Sequence, residues 1–300
     1  MSAEAAAPHR AGYVAIVGRP NAGKSTLLNA LVGVKLAIVT PKPQTTRNRI
    51  VGIRTLPEGQ VIFLDTPGIH EARSMLNRRM VDVARKALGD AEVALWVLDA
   101  TAGIARGERE IGRTLLELGH PTIVVLNKSD AVARPALLPL MAELGTLLPG
   151  RDVIPTSART GDNVDTVLRT VIAALPEGPR IYPEDELTAE PERFLVQEMV
   201  REQLFLQTAE EVPYGTAVVV ESFSEERERG LLVIRAQILV DRESQKGIVI
   251  GRGGQRLKEI GRQARLQLEA FFDAKVFLEL FVRVERDWAE NPRRLKELGL

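Results

Sequence analysis

The sequence predicts an α/β domain with a mixed, mostly parallel sheet, followed by a smaller α+β domain. Three observations lead there. The chain has 300 residues, about twice the usual domain length of roughly 150. Its first part alternates short β-branched runs with longer amphipathic stretches, the rhythm of strands covered by helices. Between Pro176 and Pro191 lie four prolines and five acidic residues with no hydrophobic period, as expected of a connector. These features assign residues 1–11 to a flexible tail, 12–176 to the first domain, 177–191 to a linker and 192–300 to the second domain.

The first-domain strands are Tyr13–Gly18, Ile50–Leu56, Val61–Asp65, Val93–Asp99, Thr122–Asn127 and Asp152–Pro155. Only four residues, Pro57 to Gln60, join the second and third, too few for a crossover helix, so those two strands must be antiparallel neighbours. In the second domain Phe194, Val196, Met199, Val200 and Leu204 fall near helical spacing. Two strand-like runs, TAVVVESF and LLVIRAQILV, follow around the charged turn SEERERG. A short helical segment, a glycine loop, a helix over about Gln255–Phe272 and a last strand, AKVFLELFVRVER, give the order α-β-β-α-α-β. FFDAKVFLEL has the composition of a buried strand.

Composition excludes several classes. Hydrophobic residues at 45% and charged residues at 27% describe a globular chain, not a disordered or collagen-like one. The longest apolar runs have strand length, far short of the 18 or so residues that cross a bilayer. The first dozen residues lack the apolar stretch of a secretory signal. With no cysteine, there is no disulfide framework or thiolate metal site, which fits a cytoplasmic chain. A net charge of zero names no partner, yet residues 1–180 hold 22 Lys+Arg against 17 Asp+Glu, and 181–300 hold 18 against 23.

Gly18-Arg-Pro-Asn-Ala-Gly23-Lys24-Ser25 follows a strand and precedes the helix Thr26–Leu31, the setting a phosphate-binding loop requires. Its backbone N–H groups, from Gly18 through Asn21, Ala22 and Gly23 to Thr26, can converge on a β-phosphate at a positive helix N-terminus. Lys24 adds a cation for the β- and γ-oxygens, and the Ser25 hydroxyl can bind Mg²⁺. Asp65-Thr66-Pro67-Gly68 closes a strand beside that loop. A simple turn would use the same residues, but this setting places Asp65 to hold the magnesium waters and the Gly68 N–H to meet a γ-phosphate. Asn127-Lys128-Ser129-Asp130 decides the base. Guanine offers N1–H and N2–H₂ to the Asp130 carboxylate, whereas adenine would leave that charge unpaired. Two charge-assisted bonds at about 1.5–3 kcal/mol each allow roughly 10²–10⁴-fold discrimination. Ser157 and Ala158, after the next strand, can contact the guanine carbonyl through their backbone.

A second cluster lies between Arg242 and Arg265, where seven basic residues face two acidic ones. Lys246, Arg252, Arg256, Lys258 and Arg262 surround the loop Gly251-Arg252-Gly253-Gly254. Leu257, Ile260, Ala264, Leu268 and Phe271 give the following helix one buried face. A solvated basic helix is the plain alternative to a nucleic-acid site; glycines that let a single strand approach favour the latter.

Together the four nucleotide motifs resemble translation-factor-like GTPases, and PKPQTTR with the asparagine of GRPNAGKS resembles the TrmE/Era/EngA branch. KGIVIGRGG resembles a type II KH loop, and DWAENPRRLKELGL the C-terminus of the Era family. The resemblance covers about residues 12–300. It implies a slow GTPase that is monomeric and cytoplasmic, cycles between GTP and GDP with Mg²⁺, binds the single-stranded 3′ end of 16S ribosomal RNA and assists assembly of the 30S subunit. It further implies that Thr46 is the magnesium ligand of switch I, that Asn21 helps hold K⁺, and that peripheral contact with the inner face of the cell membrane is open to the protein. Ile69 stands where many signalling GTPases carry a water-orienting glutamine, and His70 is its neighbour. A membrane-surface GTPase and an RNA-binding protein with an inactive nucleotide site are the competing readings.

Overall fold

The computed structural model describes residues 9–43, 45–68, 82–83, 85–226 and 230–298. The chain divides into two compact units; among the described residues the second comprises Ile38–Thr45 together with residues from Glu190 onward. Ile69 and His70 lie outside the described residues.

The first unit is built on β1 (Arg10–Val17), β2 (Ile50–Leu56), β3 (Gly59–Asp65), β4 (Val93–Asp99), β5 (Thr122–Asn127) and β6 (Val153–Pro155). They form one sheet in the order β2-β3-β1-β4-β5-β6. Only the β2–β3 pair is antiparallel, with Leu56 opposite Gly59 across the short connection; the other pairs are parallel. Helices α1 (Lys24–Val32), α2 (Arg106–Glu117), α3 (Arg134–Leu147) and α4 (Val164–Ala174) accompany it. A further helical stretch covers 85–89. Burial on both faces explains why β1, β3, β4 and β5 are continuous apolar runs rather than alternating ones. On one face Ala15, Val17, Trp96, Val124 and Leu126 pack with Ile111 and Leu115 of α2 and Leu144 of α3.

Two local readings shift. The first strand starts at Arg10 rather than Tyr13, because Arg10 and Ala11 already pair with Gly59 and Gln60. The proline-rich segment is hydrogen-bonded onto this unit: the Gln60 amide oxygen accepts from the backbone N–H groups of Ile181 and Tyr182, and Ile53 of β2 donates to the Leu187 carbonyl at 2.8 Å. The Ile53 bond is made by β2, the outer strand of the sheet.

The second unit contains α5 (Glu192–Gln207), β7 (Thr216–Glu226), β8 (Leu231–Val240), α6 (Glu243–Ile250), α7 (Gln255–Phe272), β9 (Lys275–Val284) and the short α8 (Pro292–Glu297). The sheet order is β7-β8-β9, antiparallel then parallel. Val200 and Leu204 of α5 and Ile260, Ala264 and Leu268 of α7 cover one face. Trp288 and Leu295 pack with Ala217 and Leu239 of the other.

Two expectations fail here. The charged turn is shorter than predicted, since Ser224 and Glu226 pair with Val233 and Leu231 and so extend the ladder. The last strand is not buried either: β9 is an edge strand on which Phe277 is 51% and Phe281 45% exposed. Residues of this strand face the core alternately, so Leu278, Leu280 and Val282 pack inward while the phenylalanines point out.

Candidate functional site

The four nucleotide motifs all emerge at the carboxyl ends of parallel strands, the edge where open α/β sheets bind ligands. Gly18–Gly23 links β1 to α1, and Gly23 is the N-cap of that helix at φ 93°, a left-handed conformation that glycine adopts without strain. A Cβ there would lie 2.2 Å from the Asn127 amide nitrogen. Asn21, with φ 64°, is exposed, whereas Ala22 is buried. Lys24 is buried, and its Nζ donates to the carbonyls of Gly18 and Arg19 at 3.2 and 3.1 Å. Burial pushes the Lys24 pKa down, while the carboxylates of Asp65 and Glu108 push it up. Thr26 follows in the first turn of α1.

The three residues read as metal ligands converge. Ser25 Oγ donates to Asp65 Oδ2 at 2.6 Å and lies 2.9 Å from Thr46 Oγ1. Its single proton is committed to Asp65, so Thr46 is the donor in the second bond. Asp65 and Thr46 are buried. Two hydroxyls and a carboxylate are hard oxygen donors, and Mg²⁺ beside nucleotide phosphates takes few protein ligands, so this set fits the ion. Thr66 anchors the strand end by donating to the Ile16 carbonyl at 2.7 Å. Gly68 is fixed by close approach: a Cβ on it would come within 2.6 Å of the Pro20 nitrogen.

Asn127 joins three loops. Its Nδ2 donates to the Ala22 carbonyl at 2.9 Å, and its Oδ1 accepts from the Ala158 N–H at 3.0 Å. Lys128 takes a left-handed conformation and pairs with Asp99 at 2.6 Å. The oxygens of Asp130 accept from Ser157 Oγ and from Arg159 Nη2, each at 2.5 Å. The Ser157 hydrogen bond and then Arg159 hold the Asp130 carboxyl below its usual pKa.

In the second unit Gly251, Gly253 and Gly254 have φ of 73°, 60° and 76°, forming the bend between α6 and α7. Arg252, Lys258 and Arg262 are exposed, with Lys246 and Arg256 half-buried. Arg256 Nη1 donates to the Ile248 carbonyl at 2.5 Å, tying the two helices across the loop. Arg262 is ion-paired to Glu259 at 2.7 Å, which qualifies its expected freedom to meet phosphates. Beside the loop lies an open cavity of about 400 Å³ lined by Thr208–Val212, Ile248 and Arg256.

Sequence reasoning missed several residues around these sites. Asp99 ends β4 at the same sheet edge, a position that could have flagged it. Arg159 directly follows the Thr156–Ala158 triplet. Glu108, 5% exposed in α2, lies near Arg19, Lys24 and Trp96, and no spacing rule marks it.

A phosphate loop, a hydroxyl and carboxylate set for Mg²⁺ and a base-reading carboxylate on one sheet, followed in the sequence by a glycine-loop α+β unit, define the class: P-loop GTPases that carry a KH domain. Residues 13–128 match the family model described as 50S ribosome-binding GTPase, and residues 211–289 match the KH domain model. The GTPase Era of Geotalea daltonii is 53% identical over 96% of this chain and 97% of its own. That of Heliobacterium modesticaldum is 44% identical over 97% of each. Two solved structures superpose with a TM-score of 0.93 at 43% identity, covering 97% of this chain and 99% of theirs: an Era variant from Aquifex aeolicus bound to GDP and AlF4⁻, and Era in complex with MgGDPNP and nucleotides 1506–1542 of 16S ribosomal RNA. The chain belongs to the Era family of GTPases.

Proposed function

We propose that this protein binds and slowly hydrolyses GTP, and that its KH domain takes the single-stranded 3′ end of 16S ribosomal RNA during assembly of the 30S subunit. The observation that carries the nucleotide part is the convergence of Ser25, Thr46 and Asp65 at 2.6 and 2.9 Å. The RNA part is supported by the KH match, the exposed basic loop and the relative solved with 16S nucleotides. Residues 12–176 serve as the GTPase domain, 177–191 as the connector and 192–300 as the RNA-binding domain.

In this reading the backbone from Gly18 to Thr26 cradles the phosphates and Lys24 neutralises the β- and γ-oxygens. Mg²⁺, when bound, supplies charge neutralisation across the same oxygens. Ser25 and Thr46 hold that ion directly, while Asp65 orients its waters. The Gly68 N–H meets the γ-phosphate, Asn127, Lys128, Ser157 and Ala158 shape the guanine pocket, and Asp130 accepts from the base. Asn21 holds K⁺ near the phosphates, where other GTPases insert an arginine. Lys246, Gly251–Gly254, Arg256, Lys258 and Arg262 clamp the RNA backbone. Turnover measured in K⁺ should exceed that in Na⁺ at equal ionic strength, and Asn21→Ala should abolish the difference. Equal rates in both salts would remove K⁺ from the mechanism and leave the GTPase reading standing.

A further inference from the structure

One buried carboxyl near the phosphate loop has no part in the reading above. Glu108 lies in the first turn of α2 and is 5% exposed. Its Oε2 is buried and has no hydrogen-bond partner among the described residues. The helix that carries it fits closely against its neighbours: a Cβ on Gly112 would come within 2.9 Å of the Trp96 ring and 2.8 Å of Leu147. Burial of this kind withholds water from the carboxyl, and an ionised group with neither water nor a full set of partners is costly.

The charges that act on Glu108 come from two neighbouring elements. The phosphate loop supplies Arg19 and Lys24, and β4 supplies Asp99. The Arg19 side chain lies on the same turn of α2, with its Cδ and Nε 3.5 Å from where a Cβ on Gly107 would stand. Its carbonyl accepts from Lys24 Nζ at 3.1 Å. Lys24 in turn is shared by two carboxylates, Asp65 and Glu108. Asp99 is itself paired with Lys128 at 2.6 Å. On the helix of Glu108, Arg106 pairs with Glu110 at 2.9 Å and Arg109 with Glu143 at 2.7 Å. Burial outweighs the nearby cations and raises the Glu108 pKa to about 6.

We propose that Glu108 is a proton-accepting residue of the nucleotide site: phosphates that bind Lys24 bring a further anion toward this carboxyl, which takes up a proton from solvent as they arrive. The proposal rests on the reading of Lys24 as the cation of the β- and γ-oxygens. A negative charge brought near a buried carboxyl favours its neutral form. Linkage then fixes the sign. Below about pH 6 the carboxyl is already protonated and nucleotide binds at full strength. At higher pH each binding event must also protonate Glu108, so affinity falls with rising pH until the pKa of the bound state is passed.

The test is the GDP affinity of the full chain from about pH 5 to about pH 8, compared between the parent and Glu108→Gln, whose amide stands for the protonated acid. The titration of the GDP phosphate itself cancels in this comparison. The two proteins should bind equally at about pH 5. At about pH 8 Glu108→Gln should bind tighter by about three- to tenfold, since moving the carboxyl's midpoint by about one pH unit changes affinity about tenfold. A ratio of the two affinities that does not change with pH reduces Glu108 to a structural role and refutes the proposal. A ratio that moves the other way shows that the carboxylate assists binding, and refutes it equally. A parent protein that binds no GDP at any pH would overturn the phosphate-site reading as well. Should Glu108→Gln not fold, an NMR titration of the Glu108 carboxyl carbon in the parent decides: a midpoint that rises when GDP is added supports the proposal, and one that stays in place refutes it.

Discussion

Asp130 has two carboxylate oxygens, which Ser157 and Arg159 hold by hydrogen bonds and keep ionised by lowering the pKa. An ionised carboxylate is acceptor-only, which is what guanine N1–H and N2–H₂ require. Asp130→Asn exchanges one acceptor for a donor, so GTP affinity should fall by roughly 10²-fold or more while xanthosine triphosphate, with an extra carbonyl, gains. Competition binding with the two nucleotides measures this, and unchanged GTP affinity would remove Asp130 from base recognition. Glu108 gives a second residue-scale expectation. Burial raises its pKa from 4.5 to about 6, against the opposing pull of Arg19, of a hydrogen bond with Trp96 and of Lys24. A carboxyl whose folded pKa is raised resists ionisation in the fold, so its penalty is absent below pH 4.5, grows as pH rises through about 6 and is complete above. Glu108→Gln cannot ionise. Its stability relative to the parent, read from urea unfolding, should therefore rise between pH 4.5 and 6 and level off beyond. A difference independent of pH would show that Glu108 keeps its ordinary pKa.

At the scale of elements, one amide holds together three of the loops that form the nucleotide site. Asn127 ends β5, donates to Ala22 in the loop after β1 and accepts from Ala158 in the loop after β6. Asn127→Ala leaves a buried carbonyl and a buried N–H without this partner, at about 1–3 kcal/mol each. Thermal unfolding should show a clear loss of stability, and GDP affinity should fall with it because both loops face the nucleotide. A variant with wild-type melting and wild-type GDP affinity would mean that the loops hold their shape without the bridge. Gly23 belongs to the same arrangement, since the Asn127 amide occupies the space a Cβ would take.

At the scale of the whole molecule, the two sites should be separable in chemistry and linked in binding. Gly253→Asp with Gly254→Asp puts two negative charges where an RNA backbone must approach. The space around both glycines is open, but each has positive φ, so a helical circular-dichroism check belongs with the assay. Affinity for a short 16S 3′-end oligonucleotide should collapse while GTP affinity, set by Lys24 and Asp130, stays unchanged. If GTP tightens RNA binding in the parent protein, linkage requires RNA to tighten GTP by the same factor, typically about 5–150-fold. Identical RNA affinities in the GDP and GTP-analogue states would refute the switch and leave both sites in place.

The sequence alone determined the loops that carry chemistry, because each is contiguous and its residue types are dictated by the ligand. The phosphate loop, Asp65-Thr66-Pro67-Gly68 and Asn127–Asp130 are legible for that reason, as is the β2–β3 pairing, where four residues leave no other connection. The apolar period of α7 was equally local, with Ile260, Ala264 and Leu268 buried as predicted. Tertiary structure decided what depends on contacts between residues distant in the chain. Glu202 looks like any helical glutamate until Val39, 163 residues away, is found bonded to it. Ile181 and Tyr182 sit in a stretch with no hydrophobic period, and only Gln60 reveals why that stretch is held. Phe277 and Phe281 read as core until the sheet proves to have three strands, leaving β9 at its edge. Periodicity records which face of an element is apolar; which neighbour covers that face, or whether one does, is settled by packing.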